Sequence, residues 1–362
     1  MNSSAEPSPL LRVLDRGRWA PSGDNMQVWR FEVMGPHALR VHGFDTRSHC
    51  VYDLDGHPSQ ISLGALLETL ALAASEMGWS LEEARRLPES PEEKPVFELR
   101  FDPDAACPPD PLARAIETRC VQRRPFRTRP LNDGEKRAME AAVGAGYSLL
   151  WLEGAATRWR TAKLLFHSAK LRLTLPEAYE VHRDVIEWGT RFSKDRIPDA
   201  ALGANPATVA LMRQVMKSWG RVQLMNRFFA GTWAPRIELD LLPGLGCAAH
   251  FVLLADRPAA DIDDYVAAGR AMQRLWLSAT TLGLQFQPEV TPLVFARYAR
   301  EKRVFSSVTS CLPRAQRVKE RLEDLIGQDA LARAVFMGRV GEGDVPTARS
   351  LRKDLAELMH KP

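Results

Sequence analysis

The chain lacks the features that would place it in several large functional classes. Its 362 residues include five cysteines, Cys50, Cys107, Cys120, Cys247 and Cys311, far apart and without a CxxC pair. That spacing argues against a disulfide framework and against a cysteine zinc site. No apolar run has the length and purity of a transmembrane helix. Met1 to Pro9 is polar and has no apolar signal core. The eight histidines are scattered and form no HExxH. The dinucleotide fingerprint GxGxxG, the phosphate loop GxxxxGK(S/T) and the nucleophile elbow GxSxG are all missing. YDLDGH and DIDDY carry acids, but neither continues as a calcium loop. The net charge of +4 is too small to argue for nucleic acid. The expectation is a reduced, soluble, cytoplasmic protein with no metal and with neither nucleic acid nor membrane as partner.

What is present is a large apolar fraction, 45%, enough for two domains or one two-lobed body. The most informative stretch is RWAPSGDNMQVWRF, Arg18 to Phe31. Leu10, Leu11, Val13 and Leu14 lead in with helical spacing, and Pro21 ends that helix. Ser22, Gly23, Asp24 and Asn25 are turn formers. Trp29, Phe31 and Val33 then alternate with polar residues, the period of a half-buried strand. A polar loop at a fixed helix-to-strand junction can grip a polar heterocycle, or can simply stop a helix.

Further strands are expected at Leu39 to Phe44, Pro95 to Phe101, Tyr147 to Leu152, Cys247 to Ala255 and Ala334 to Val340. Two long apolar helices, ISLGALLETLALAASEMGW from Ile61 and AGRAMQRLWLSATTLGLQFQ after Asp261, resemble each other. Each ends in a Gly-x motif, which suggests an internal duplication with its joint near Ala105 to Pro111. Leu112 to Phe126 is read as a helix running into RCVQRRPF, and Glu135 to Gly144 as another. Trp159 to Trp233 is read as a helical block without a clear strand, Val290 to Leu325 as irregular and helical, and TARSLRKD as the lead into a C-terminal helix.

Arg119, Arg123, Arg124, Arg127 and Arg129 form the densest charge cluster. Arginine suits bidentate phosphate contacts; the alternative is a solvated positive face. A second basic group comprises Arg339, Arg349, Arg352 and Lys353. GLQFQPE, Gly283 to Glu289, follows the second apolar helix. It is either a capped helix end or a wall of amides and a carboxylate beside the core.

RWAPSGDNMQVWRF resembles the RxAPSxxNxQPWxF motif of the nitroreductase-like FMN flavoproteins, with Val28 where that family has proline. RCVQRRPF is similar to the RRTNRRPF arm of the duplicated, single-chain branch of the family, although Cys120 and Val121 depart from its basic and hydroxyl residues. The resemblance implies an α+β fold of two nitroreductase-like halves, each a mixed sheet flanked by helices, related by a pseudo-twofold axis. The halves are residues 1–104 and 112–362, the second carrying a helical insertion, 159–233, as a lid candidate. It implies one FMN site assembled from both halves in a monomer that imitates a dimer. Pro21, Ser22, Asn25 and Gln27 come from the first half. Arg119, Val121, Arg123, Gln287, Pro288, Glu289, Thr347 and Arg349 come from the second. The implied activity is transfer of electrons from NAD(P)H through FMN to a small conjugated or nitrogenous substrate. An FMN-binding or flavin-storage protein with little reductase activity is the alternative. No acid or base is singled out.

Overall fold

The computed structural model describes residues 8–103, 107–228 and 231–361. Most of the polar N-terminus and part of the expected Ala105–Pro111 joint therefore lie outside the described residues. Ser8 caps helix α1 (Pro9–Gly17) by accepting from the Leu11 amide, and Leu10, Val13 and Leu14 form its buried face. Strand β1 (Trp29–Gly35) pairs antiparallel with β2 (Ala38–Gly43) across a turn at Pro36 and His37. Helix α2 (His57–Ser75) follows; it is apolar nearly all round and correspondingly buried. Strands β3 (Ser80–Arg86) and β4 (Val96–Asp102) complete an antiparallel sheet of order β1-β2-β4-β3.

The second half opens with α3 (Asp133–Ala142), whose capping box joins Asn132 and Glu135. Strand β5 (Tyr147–Leu152) is followed by a long excursion. This holds α4 (Ala155–Leu173), α5 (Pro176–Val185), β6 (Ile186–Glu187), β7 (Phe192–Ser193), β8 (Ile197–Pro198), α6 (Pro206–Val215) and α7 (Trp219–Phe228). Helix α8 (Trp233–Arg236) runs through a π-helical turn, Ile237–Leu241, into α9 (Leu242–Leu245). The chain re-enters the sheet as β9 (Ala249–Ala255), then forms α10 (Ile262–Thr281) and β10 (Gln285–Pro288). Helices α11 (Thr291–Arg300), α12 (Cys311–Ile326) and α13 (Gln328–Arg333) precede β11 (Ala334–Gly341). A tail carries β12 (Arg349–Ser350) and the single turn α14 (Leu355–Leu358). The second sheet has the order β5-β9-β11-β10, all antiparallel. Numbered within each half, both sheets run first-second-fourth-third, with the long helix between the second and third strands.

The two long helices form the middle of this mixed α+β body. They cross at glycines. A Cβ on Gly64 would lie 1.9 Å from the Val266 carbonyl oxygen, and one on Gly269 would lie 2.1 Å from that of Ile61. Only hydrogen fits at either place, so backbone packs on backbone. Glu68, buried on α2, receives Arg270 at 2.8 Å and Arg274 at 2.9 Å from α10, and Gln273 donates to Thr69 at 3.0 Å. Charge and amide pairs thus fix the register of an otherwise apolar contact.

Several sequence expectations need correction. Leu112 to Phe126 is not a helix: after one 3-10 turn, Ala113–Ala115, the arm is extended. Val121 bridges to Phe286, and the Gln122 amide donates to the Phe286 carbonyl. The Gln122 amide thus goes to the edge at β10, those of Phe126 and Arg127 go to the Gly246 and Glu342 carbonyls, and Pro125 disfavours helix at Arg124. Arg119 and Arg123 thus do not share a helix face. GLQFQPE is not a loop but carries strand β10, with Phe286 buried and Gln285 and Gln287 on the other face. Trp159 to Trp233 holds three two-residue strands. TARSLRKD leads, as expected, into the C-terminal turn α14, and within it Arg349 and Ser350 also pair with Phe192 and Ser193. Val290 to Leu325 is largely two regular helices. Strand β3 is an additional element. Its sequence, SLEEARR, is the charged composition of an exposed edge.

Candidate functional site

The stretch Pro21 to Asn25 reaches the middle of the molecule because its backbone is held in an uncommon shape. Asp24, Asn25 and Gln27 all have positive φ, between 50° and 62°. Asp and Asn tolerate that region best, and non-glycine residues held there cluster at functional sites. The Gln27 amide donates to Ser22 Oγ at 2.9 Å, and the Gly23 amide donates to Ser62 Oγ on α2 at 3.3 Å. Asn25 Oδ1 accepts from Arg352 at 2.9 Å.

This loop forms one wall of a cavity of about 280 Å³. Pro58, Ile61 and Ser62 come from α2, Met272 and Trp276 from α10, and Gln287 and Pro288 from β10. The extended arm supplies Arg119, Cys120, Val121 and Arg123, and the tail supplies Arg349, Ser350 and Arg352. Residues 21–62 and residues 119–352 therefore line one space.

The cavity is strongly cationic. Arg119, Arg123, Arg349 and Arg352 line it, and none has an ion-pair partner among the described residues. Burial lowers the Arg119 pKa to about 10, and Arg349 adds to the effect. Burial also holds Arg352 well below the usual guanidinium range, with Arg119 and Arg349 repelling it. Arg352 is neatly hydrogen-bonded to the Ala20 carbonyl and Asn25, but these neutral partners leave its charge uncompensated. Nε of Arg119, Nε of Arg349 and Nε1 of Trp276 are buried without a partner. Arg119 lies 4.5 Å above the Trp276 ring. Buried donors and like charges gathered this way are satisfied by an anion that brings its own acceptors.

His57 also lines this cavity. Burial, assisted by Arg297, lowers its pKa to about 3, so the ring is neutral, and its Nδ1 has no hydrogen-bond partner. A second chamber of about 580 Å³ shares Gly23, Asp24, Pro58 and Ser62 with the first. Its far wall belongs to the excursion after β5, with Arg172, His182 and Arg196. Tyr52 and His182 are joined at 3.1 Å across it. Asp24 stands between the chambers. Burial raises its pKa, while Arg123 and Arg172 act to lower it.

Nine of the twelve residues taken from the sequence line the first cavity: Pro21, Ser22, Asn25, Arg119, Val121, Arg123, Gln287, Pro288 and Arg349. Three stand elsewhere. Gln27 is fully buried behind the loop, where it donates to the Lys194 carbonyl at 2.9 Å and accepts from the Lys353 amide at 2.8 Å. Glu289 is buried against His250 Nδ1 at 2.6 Å. Thr347 is exposed and only its carbonyl is engaged, by Arg191 at 2.8 Å. Sequence reasoning missed Asp24, His57, Arg172 and Trp276 as site residues, and left Arg352 as one of several tail bases. Asp24 alone carried a signal, its place inside the turn; Trp276 reads as one more apolar helix residue.

No protein-family model matches the chain, and no curated protein matches it. Among solved structures, a nitroreductase-like family protein from Bacillus cereus aligns with 70% of this chain and 96% of its own, at 13% identity and a TM-score of 0.35. The FMN-dependent nitroreductase NfnB from Mycobacterium smegmatis, solved in complex with NADPH, aligns with 69% and 98%, at 16% identity and a TM-score of 0.37. With likeness that low, function has to be argued from the cavity itself.

Proposed function

We propose that the chain is an FMN-dependent oxidoreductase whose single cofactor lies in the cavity between two duplicated halves, in a monomer that imitates a dimer. The observation that carries this reading is the set of buried, uncompensated guanidinium groups beside unpartnered Arg119 Nε, Arg349 Nε and Trp276 Nε1. A phosphate supplies the missing charge and acceptors there. Arg119, Arg349 and Arg352 would hold it, and Pro21 to Asn25 with Gln287 and Pro288 would flank the rest of the group. Bound FMN supplies hydride and electron transfer between NAD(P)H and a small conjugated or nitrogenous substrate. The protein's own part is to hold charge, orient the ring and keep water out. The two sheets of identical strand order and the reciprocal glycine crossing support the duplication and its pseudo-twofold axis.

A specific observation favours a second reading, an FMN-storage protein with little reductase activity. The stretch Arg191 to Arg196 is pinned to the loop and the tail that line the cavity. The Arg349 amide donates to the Arg191 carbonyl at 2.9 Å and the Leu351 amide to that of Ser193 at 2.6 Å. Asn25 Nδ2 and Ser350 Oγ both donate to the Arg196 carbonyl, at 3.3 and 2.8 Å. A segment held from both sides restricts entry of a nicotinamide.

Purified protein separates the readings. Yellow protein bleached anaerobically by NADH or NADPH supports the oxidoreductase. Yellow protein inert to both supports storage. Colourless protein that binds no added FMN eliminates both. Arg119→Ala and Asn25→Ala should each weaken FMN retention at least about tenfold, the scale of one lost charge-assisted hydrogen bond. Unchanged retention in both would sink the site.

A further inference from the structure

A second basic region lies outside the cofactor cavity, in a groove between the antiparallel helices α4 and α12. His167 and Lys170 form one wall, Arg314, Arg317 and Arg321 the other, and Leu171 and Val318 line it as well. The groove is tied at both ends. Arg160 donates to the Asp324 carbonyl at 2.6 Å, and Arg314 donates to Thr174 Oγ1 at 3.1 Å. Some surface basic residues find carboxylates, as in Arg257 with Asp264 and Arg333 with Asp329, and what distinguishes the groove is that its cations face one another across a concave space. Among the described residues, Lys170, Arg314, Arg317 and Arg321 have no such partner. Two acids of α12 have other partners, Glu320 accepting from Gln316 and Glu323 from Lys319, and the third, Asp324, is not part of the groove's lining. His167 accordingly has its pKa lowered, first by burial and then by the charges of Arg321, Arg236 and Lys163, against an opposing hydrogen bond to the Lys163 carbonyl.

We propose that this groove is a binding site for an oligophosphate anion. Three arginines and a lysine converge on a concave space of about 200 Å³ with no carboxylate in its lining. Guanidinium forks match phosphate oxygens two at a time. The lining offers guanidinium and ammonium donors with only Leu171 and Val318 as apolar surface, so charge selects a phosphate chain and little is provided for an attached nucleoside. The site is independent of the cofactor reading, because the residues of α4 that face the interior, Ser168 and Arg172, lie against the other cavities.

Calorimetric titration of the full-length protein, saturated with FMN to occupy the interior, tests this with sodium tripolyphosphate as probe at low salt. Wild type should bind one equivalent. R317E/R321E should lose at least about tenfold in affinity with an unchanged melting temperature and FMN content. R213E, which makes the same kind of charge change on exposed α6, should bind as wild type does. Saturable binding that survives R317E/R321E, or that R213E weakens equally, overturns the groove as the site. Hexaglutamate binding as tightly as tripolyphosphate overturns the assignment to phosphate, as does the absence of binding. ATP distinguishes the sources: affinity matching tripolyphosphate supports a free chain, and affinity at least tenfold tighter supports a nucleotide.

Discussion

The Gly64–Gly269 crossing gives the sharpest test of how the two halves are joined, because two effects of opposite sign compete there. In an exposed helix interior, Gly→Ala stabilises by about 1 kcal/mol. At Gly64 the new methyl would sit 1.9 Å from a carbonyl oxygen and 2.9 Å from the Gly269 Cα. Both are backbone atoms, so no side-chain rotation relieves the overlap. The helices must separate by about 1.5 Å to restore ordinary contact, which breaks apolar packing along both. Overpacking typically costs about 1–3 kcal/mol, and a backbone-to-backbone clash belongs at or beyond the top of that range. The net expectation for G64A is a loss of about 2 kcal/mol or more, a fall of about 3 °C or more in Tm for a chain of this length. Since α2 and α10 both line the cavity, FMN affinity should fall too. Gly220 on α7 is the control, because nothing lies within 4 Å of its added Cβ. G220A should melt at or slightly above the wild-type temperature. Scanning calorimetry decides: G64A melting at or above wild type, as helix propensity alone demands, would refute the close crossing.

Other consequences follow from the buried charges. Burial opposes charge on His250, but Glu289 at 2.6 Å and Cys247 outweigh it and raise the pKa to about 10. Because the folded pKa exceeds the unfolded value near 6.5, this pair's stabilisation is complete below about pH 6.5 and is lost as pH rises through about 10; denaturant midpoints of wild type and E289Q should converge toward pH 10. Asp24 has its folded pKa raised by burial, so its ionisation destabilises the fold at neutral pH. D24N, which keeps a residue tolerant of positive φ, should raise Tm at pH 7 and lose that advantage as pH falls toward the ordinary carboxylate range; no gain at pH 7 would contradict the buried carboxylate. Arg339 is fully buried and donates at 3.0 Å to each of the Arg123 and Arg124 carbonyls and to Gln287. R339M should cost about 3–5 kcal/mol, since it strands these acceptors, and R339K should not restore the arm; urea unfolding with wild-type midpoints for either would refute this role.

The parts of the fold that were legible in the sequence are those set by period and punctuation. Trp29 and Phe31 on one face and the nearly all-round apolar α2 each state their structure locally, whereas α1 ends at Gly17, ahead of the expected break at Pro21. The arm at Arg119 could not be read that way. Backbone donors of Gln122, Phe126 and Arg127 are satisfied by Phe286, Gly246 and Glu342, far away in sequence, and such distant partners leave no local trace. The same holds for Phe192–Ser193, whose pairing partner Arg349–Ser350 is near the other end of the chain. Nine cavity residues were reached through the motifs. Gln27 was not, because its conspicuous amide serves the backbone of Lys194 and Lys353, holding the loop from behind. Trp276 and Arg172 escaped because a helix face gives no sign of which buried position borders a void.

The proposal of one cofactor per chain rests on comparing the corresponding joints before β1 and before β5. Between α1 and β1 the chain spends Arg18 to Val28 on the loop that reaches the interior. Between α3 and β5 it has only residues 143–146, where Gly144 and Gly146 at φ 77° and 84° make a tight reversal. An added Cβ at either glycine meets nothing within 4 Å, so this turn faces open space and lines no cavity. A mate site would also need a basic tail after β4, but residues 107–111 are CPPDP, and Asp110 is committed to Arg274 at 3.1 Å. The tail after β11, by contrast, delivers Arg349 and Arg352. One half therefore provides the loop and the other the arm and the tail, and exchanging these roles produces no second enclosure. Flavin released by denaturation and measured against protein concentration should approach one per chain at saturation. A ratio approaching two would require a second flavin site besides the first cavity and would refute the asymmetric assignment of walls.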